Sequence, residues 1–385
     1  MSPISLLEEA GFASFLAGSS ALELYFGQSG REPTKPVVWI ETEGSLVDLS
    51  RLFDDLVFPG AEYFDAAVEA GGRLYMFHCL DGAPSGGNMT QAFRQGRFWY
   101  DLRRGVFVDP CGAYETVRDE VLQAAAVEGS SSPYAEIPED TRRWYVVAEA
   151  AMLAANYGYR WDPDLVAPIG RRESAAVLSP VEQRFVLSAV VGGRHAPEGL
   201  QLLMDGGFVQ AHWPLLAEMD EVRHSKEHHP EGNVWRHSLE TFKHRKILEV
   251  PLSLALLLHD SGKAYARPRG GNRFDRHAQI GASKSRSFLG QLGFPQDVVD
   301  TVAFLVEYHM VPGLLSSLPV GRTEQVMSSP LFPDLLELYR CDVSSTFRGP
   351  EGYYQACRRY RSFLKHSRNP FRGSDGKKRL RLLVE

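Results

Sequence analysis

The strongest constraint on how this 385-residue chain can fold is a change of pattern near residue 128. Before it, short β-branched and aromatic runs alternate with Gly/Pro turns: Pro36 to Thr42, Gly72 to His78 and Gly105 to Pro110. Such runs predict strands. Helical spacing is interleaved with them at Ser19 to Phe26 and Leu46 to Leu56, so the first part reads as an α/β head. Glu128 to Pro133 is small, polar and proline-terminated, the composition of a linker. Beyond it strand signals nearly vanish. Trp144 to Tyr157, Ser179 to Gly192, Pro197 to Gly206, His237 to Glu249, Leu252 to His259, Arg276 to Leu292, Pro295 to Met310 and Phe332 to Tyr339 carry helical spacing or caps. The expectation is an α+β chain: a head over 1–127, a helical neck over 136–212, a second helical domain over 213–350 and a basic segment over 351–385.

Composition supports a folded protein. Hydrophobic residues make up 44% and charged residues 23%, which excludes disorder, collagen-like repeats and coiled coil. The longest purely apolar run near the middle, Leu254 to Leu258, falls far short of the roughly 20 residues that span a bilayer, so no membrane partner is expected. Met1 to Glu9 lacks the basic stretch and apolar core of a signal peptide, which makes the cytoplasm the expected location. Cys79, Cys111, Cys341 and Cys357 are widely spaced without a paired motif and read as reduced thiols.

The net charge of −6 hides a segregated end. From Ala356 onward ten Lys and Arg face only Asp375 and Glu385. With Tyr360, Phe363 and Phe371 among them, this stretch suits either RNA binding, through phosphate neutralisation and base stacking, or a solvated helix face.

The chemical signal is a set of histidines and aspartates. An apolar helix over Leu254 to Leu258 ends in His259-Asp260, followed by Lys263. Burying an imidazole and a carboxylate unpaired costs several kcal/mol, roughly, and a metal ion offsets that cost. Adjacent helical residues splay by about 100°, so further ligands must come from other helices. His237 and Asp342 are candidates, and His277 and His309 also occupy helical contexts.

In the order His, His-Asp, His, His, Asp, these residues resemble the HD-domain metal-dependent phosphohydrolases. The resemblance implies that His237, His259, Asp260 and Asp342 hold one divalent ion. Asp260 would bridge to a second ion held also by His277 and His309. Nitrogen and oxygen donors suit Mn, Ni, Co, Fe, Zn or Mg. Two ions about 3.5–4 Å apart would activate water for attack on phosphorus. Lys263 and Arg276 would steady phosphate oxygens as catalytic neighbours of Asp260. His228 and His229 either touch substrate or shape the loop before His237.

A second resemblance spans nearly the whole chain. His228 to Leu239 looks like the HD domains attached to bacterial tRNA nucleotidyltransferases, the CCA-adding and poly(A) polymerase-like enzymes. Gln201 to Phe208, His212 to Met219 and Phe98 to Ala113 are similar to segments of that family. Glu139, Asp140 and Arg143 match its E-D-x-x-R element, which the family uses to read the incoming base; a helix N-terminus is the alternative reading. The head departs from the family pattern. Gly18 to Glu23 lacks the expected arginine. Val37 and Trp39 stand where the family carries two metal-binding aspartates, and Thr90-Gln91-Ala92 where it carries Arg-Arg-Asp. Glu41 and Glu43 fall by alternation on the face of Trp39.

Together these features predict a degenerate nucleotidyltransferase-like head that has lost nucleotidyl transfer, followed by a helical neck and an HD domain. The expected main activity is metal-dependent hydrolysis of phosphate esters on nucleotides, 2′,3′-cyclic phosphates or RNA ends. Nucleotidyl transfer to tRNA or RNA 3′ ends by an atypical site is the alternative, with a non-catalytic RNA-binding scaffold beside it.

Overall fold

The computed structural model describes residues 2–27, 33–60, 64–80, 92–123, 139–160, 177–223, 232–266, 268–269, 273–347 and 349–366. It divides into two compact units, Met1–His212 and Trp213–Glu385. The architecture is mixed α+β.

In the first unit, α1 (Pro3–Ala10) starts where Ser2 Oγ accepts the Ser5 amide, and it ends at Gly11, whose φ of 81° suits only a residue without Cβ. Helix α2 (Ser19–Tyr25) follows strand β1 (Ser14–Ala17) directly. Helix α3 (Leu46–Leu52) is opened by a reciprocal capping box between Ser45 and Asp48. It stops earlier than its spacing suggested, because Phe53 turns extended and joins the core.

The sheet has six strands in the order β3-β4-β2-β1-β5-β6: β2 is Val37–Thr42, β3 Ala66–Ala70, β4 Arg73–Cys79, β5 Trp99–Asp101 and β6 Val106–Val108. Among the described strands, β2 and β4 form the parallel pair, with Val37 opposite Leu74 and Glu41 opposite His78. The other pairings are antiparallel. One sheet face buries Val38, Ile40, Tyr75 and Phe77 with Ile4, Leu7 and Leu49 of the flanking helices. On the opposite face Val37, Trp39 and Glu41 alternate with them.

Among the described residues this unit also contains α4 (Glu139–Tyr157), α5 (Pro180–Val191), α6 (Ala196–Asp205) and α7 (Phe208–His212). Helix α5 begins with a capping box between Ser179 and Glu182. Its Phe185 meets Trp39 and Phe64 edge-on. Helices α4 and α6 approach closely at Gly199, where a Cβ would press on the Ala151 carbonyl.

The second unit comprises α8 (Pro214–Glu221), α9 (Val234–Phe242), α10 (Val250–Leu258), α11 (His277–Gln291), α12 (Gln296–Tyr308), α13 (Val311–Leu314), α14 (Val320–Met327), α15 (Phe332–Ser344) and α16 (Glu351–His366). Helix α10 is buried from Leu252 to Leu258 and packs on α9, α12 and α15. The half expected to be all-helical also contains a small pairing, β7 (Pro268–Arg269) with β8 (Arg273–Phe274). In sequence Gly270-Gly271-Asn272 separates them, a hairpin composition that the helical reading passed over.

Candidate metal centre

Six side chains from five helices converge in the second unit. His237 comes from the middle of α9, and His259 is the C-cap of α10 with Asp260 next to it. His277 is the first residue of α11, His309 the C-cap of α12, and Asp342 lies near the end of α15. Placing ligands at helix ends lets apolar helix bodies pack while the polar groups meet.

The six form two groups. His237, His259 and Asp342 lie together, and Asp260, His277 and His309 lie together, with ligand atoms in each group within 4.8 Å of one another. Asp260 joins them. Its Oδ2 is 3.8 Å from His237 Nε2 and 3.4 Å from His259 Nε2, and its Oδ1 is 3.5 Å from His277 Nε2 and 3.8 Å from His309 Nε2. His237 Nε2 is 3.1 Å from Asp342 Oδ1.

The backbone fixes the tautomers. Nδ1–H of His259 donates to the Leu256 carbonyl at 2.9 Å, that of His277 to Phe274 at 2.9 Å, and that of His309 to Val306 at 2.7 Å. A carbonyl only accepts, so each Nδ1 carries the hydrogen and each Nε2 aims a lone pair into the cluster. His237 Nδ1 lies 3.4 Å from Ser345 Oγ, a contact with no sequence signal beyond the spacing from Asp342. The three carbonyl contacts were also missed, although a histidine at a helix end, three residues past a carbonyl, is a readable pattern.

Two observations fit this set to a divalent cation. His259 Nε2 is buried without a hydrogen-bond partner. His277 and His309 point Nε2 at Nε2 across 3.3 Å, an arrangement that needs a proton or a cation between the lone pairs. Burial, reinforced by His259, pushes His309 down to about 4, which disfavours the proton. Burial opposes ionisation of Asp260, yet Lys263 and the surrounding imidazoles hold its carboxyl well below the usual range. Asp342 is likewise driven down, by His237 against burial. Carboxylate oxygens together with imidazole nitrogens are a borderline-metal donor set.

Of the other residues singled out from sequence, Lys263 bonds Asp260 Oδ2 at 2.5 Å. Arg276 is exposed and has a left-handed φ of 61° as the N-cap of α11, the sole non-glycine with positive φ among the described residues. Gly262 lets the turn after Asp260 press on α11, because a Cβ there would collide with the His277 carbonyl and the Gly281 amide. In the first unit, Glu139 and Asp140 open α4, and the Arg143 guanidinium stacks 3.8 Å from the Trp144 ring centroid. His228, His229, Thr90 and Gln91 lie outside the described residues.

In the head, Gly18 caps α2 with a φ of 52°. Val37 and Trp39 are buried and offer no ligand atom, whereas Glu41 on the same face is buried and accepts from Trp99 Nε1 at 2.8 Å. Glu23 accepts from the amide and hydroxyl of Thr34, both at 2.7 Å.

This mixed fold, a sheet-bearing head with helical regions, is that of the CCA-adding enzymes. The Bacillus stearothermophilus CCA-adding enzyme, solved in complex with CTP, matches with a TM-score of 0.51 and 16% identity over 95% of this chain and 85% of that one. In sequence the chain is similar to tRNA nucleotidyltransferases. It is 34% identical over 175 residues to a CC-adding tRNA nucleotidyltransferase from Thermus thermophilus, covering 43% of this chain and 40% of that enzyme. It is 24% identical over 211 residues to the multifunctional CCA protein of Halorhodospira halophila, covering 54% and 49% respectively. The matched stretches thus span less than half the length of these curated relatives. No family model matches the chain.

These similarities correct two expectations. Hydrolysis of phosphate esters as the main activity, and loss of nucleotidyl transfer from the head, are overturned by relatives named as a CC-adding tRNA nucleotidyltransferase and a multifunctional CCA protein. The physical reason is that a ligand set is not a reaction. Histidines and aspartates that can hold a cation do not specify hydrolysis. Among the described residues, no helix is long and apolar enough to cross a membrane.

Proposed function

We propose that the chain acts at the 3′ end of tRNA as a nucleotidyltransferase of the CCA-adding kind, using an atypical head, in the cytoplasm. The observation that carries this reading is the 34% identity over 175 residues to an enzyme named for CC addition. The fold shared with a CCA-adding enzyme supports it. In such transfer the RNA 3′-hydroxyl attacks the α-phosphorus of a nucleoside triphosphate, and positioning with charge stabilisation supplies most of the catalysis. Glu41 is the carboxylate on the β2 face where Val37 and Trp39 supply none.

In this reading Glu139, Asp140 and Arg143 contact the incoming nucleotide. The helical unit holds one or two divalent cations on His237, His259, Asp260, His277, His309 and Asp342. Lys263 is the counter-charge of Asp260 when no cation is bound, and exposed Arg276 contacts RNA phosphate. His228 and His229 border the substrate, and the basic segment from Ala356 onward contacts the RNA backbone.

The test is extension of tRNA transcripts that end before the CCA, after its first C or after its second C, with labelled CTP or ATP and Mg²⁺. Incorporation at the expected length is the predicted result. No incorporation into any transcript, under conditions where the Thermus thermophilus enzyme extends all those that accept CTP, would overturn the reading.

A further inference from the structure

The carboxyl ends of β2 and β4 bring a histidine between two acids. Glu41 and His78 are register partners in this parallel pair, so their side chains project to the same sheet face. His78 Nδ1 is 2.9 Å from Asp65 Oδ2, and that same oxygen accepts the Cys79 amide at 2.8 Å. Asp65 is itself fixed by its own amide, which donates to the Phe77 carbonyl at 2.8 Å. Two hydrogen bonds, one from backbone and one from the ring, leave the carboxylate little freedom. The His78 side chain is 26% exposed, which keeps the ring within reach of a ligand. Glu41, by contrast, is buried and tied to the Trp99 indole.

The arrangement has the order of a proton relay. A carboxylate receiving Nδ1–H holds the ring in one tautomer, assigns the basic lone pair to Nε2 and stabilises the imidazolium formed when Nε2 takes a proton. Burial raises Asp65, but the His78 ring and the Cys79 amide lower it further, so it is the charged partner of the pair. The neighbouring Cys79 thiol is pushed up to about 11, by burial and then by Asp65 and Asp48, and does not compete as a base.

We propose that His78 is the proton acceptor of the head, taking the proton of a ribose 3′-hydroxyl, with Asp65 as its positioning residue. This rests on the transferase reading above. The hydroxyl proton passes to His78 Nε2 as the oxygen forms its bond to the α-phosphorus of a nucleoside triphosphate. The bond from that phosphorus to the α–β bridging oxygen breaks, and its electron pair leaves on pyrophosphate. The imidazolium, paired with Asp65, then returns its proton to solvent. The site thereby supplies general-base chemistry on a strand face where Val37 and Trp39 have no group able to take a proton.

The experiment compares wild type, His78→Asn and Asp65→Asn in the tRNA extension assay, with tRNA affinity measured separately and His78 followed by its ring NMR resonances. The expected result is a loss of about 100-fold or more in kcat for His78→Asn at unchanged tRNA affinity, the range of general-base contributions. Asp65→Asn should lose less and lower the imidazole pKa read by NMR, which a merely structural role would not do. If wild type extends tRNA and His78→Asn stays within threefold of it, the inference is overturned while the transferase reading stands. If wild type extends nothing, that reading falls and the ring resonances decide the site. A His78 shift on adding tRNA with a free 3′-hydroxyl, absent with a 3′-phosphate, supports a substrate-facing histidine; no shift overturns it.

Discussion

Replacing Glu41 by Gln isolates one buried charge. Glu41 is almost wholly enclosed, and burial raises its carboxyl from the ordinary 4.5 to about 7, against the opposing effects of the Trp99 indole and His78. Between these values the folded head holds a proton that the unfolded chain releases. Stability therefore falls as pH rises from 4.5 through 7 and is level outside that window. At about 1.4 kcal/mol per pH unit, the full loss by pH 8.5 is about 3 kcal/mol, and at pH 5 it is under about 1 kcal/mol. Gln keeps the shape and an oxygen for Trp99 but cannot ionise. Its extra N–H donors cost the same at both pH values and cancel in the comparison. Relative to wild type, Glu41→Gln should thus gain about 2–3 kcal/mol between pH 5 and pH 8.5. Amide hydrogen exchange of peptides from β2 and β5 reads this as a change near 100-fold in relative protection, without requiring the whole chain to unfold in one step. Equal variant-to-wild-type ratios at the two pH values would refute the argument.

Other expected outcomes concern the helical unit. Wild type dialysed against Mn, Co, Ni or Zn should retain metal, and Asp260→Asn should lose most of it, because that carboxylate is near all four imidazoles; equal metal by elemental analysis would refute a shared ligand. Gly262→Ala should cost about 1–3 kcal/mol, read by thermal unfolding, since its Cβ meets backbone that cannot step aside. Asp260 and Asp342 are both depressed below the ordinary 3.8, so their stabilisation is present above that value and lost as pH falls below it. Metal-free melts from pH 6 to pH 2.5 should show this loss for wild type, and a smaller one for Asp342→Asn.

The clearest of the candidate ligands to read were His259 and Asp260, because there an apolar helix ends in two polar groups after Leu258. Such junctions are local and survive in the sequence. What joins them is not local. That Asp260 faces four imidazoles, or that His277 and His309 oppose their Nε2 atoms, depends on how five helices pack. The head illustrates the opposite limit. Its strands are visible from β-branched runs, but His78 carries no sequence signal, because its partner Asp65 lies outside its own strand and its neighbour Glu41 lies on another. The reading of the chemistry failed for a related reason. A ligand pattern does not specify hydrolysis, because the same atoms could hold a cation whatever reaction the rest of the chain performs.

The two polar clusters also demand different chemistry from their surroundings. In the helical unit, backbone carbonyls take the Nδ1–H of three histidines, so their Nε2 atoms converge on one another and on Asp260, which Lys263 also meets. Convergent lone pairs are relieved by a cation. In the head, a carboxylate rather than a carbonyl takes the ring hydrogen of His78. A carboxylate stabilises the imidazolium, which is what the proposed proton transfer requires. The Nδ1 acceptor thus differs between the clusters, a neutral carbonyl in one unit and a carboxylate in the other; in the proposed chemistry the first kind orients a lone pair and the second favours a protonated ring. Substituting Asp65 by Asn should move His78 toward the first kind, and the NMR-read pKa of its ring is the quantity in which that difference appears.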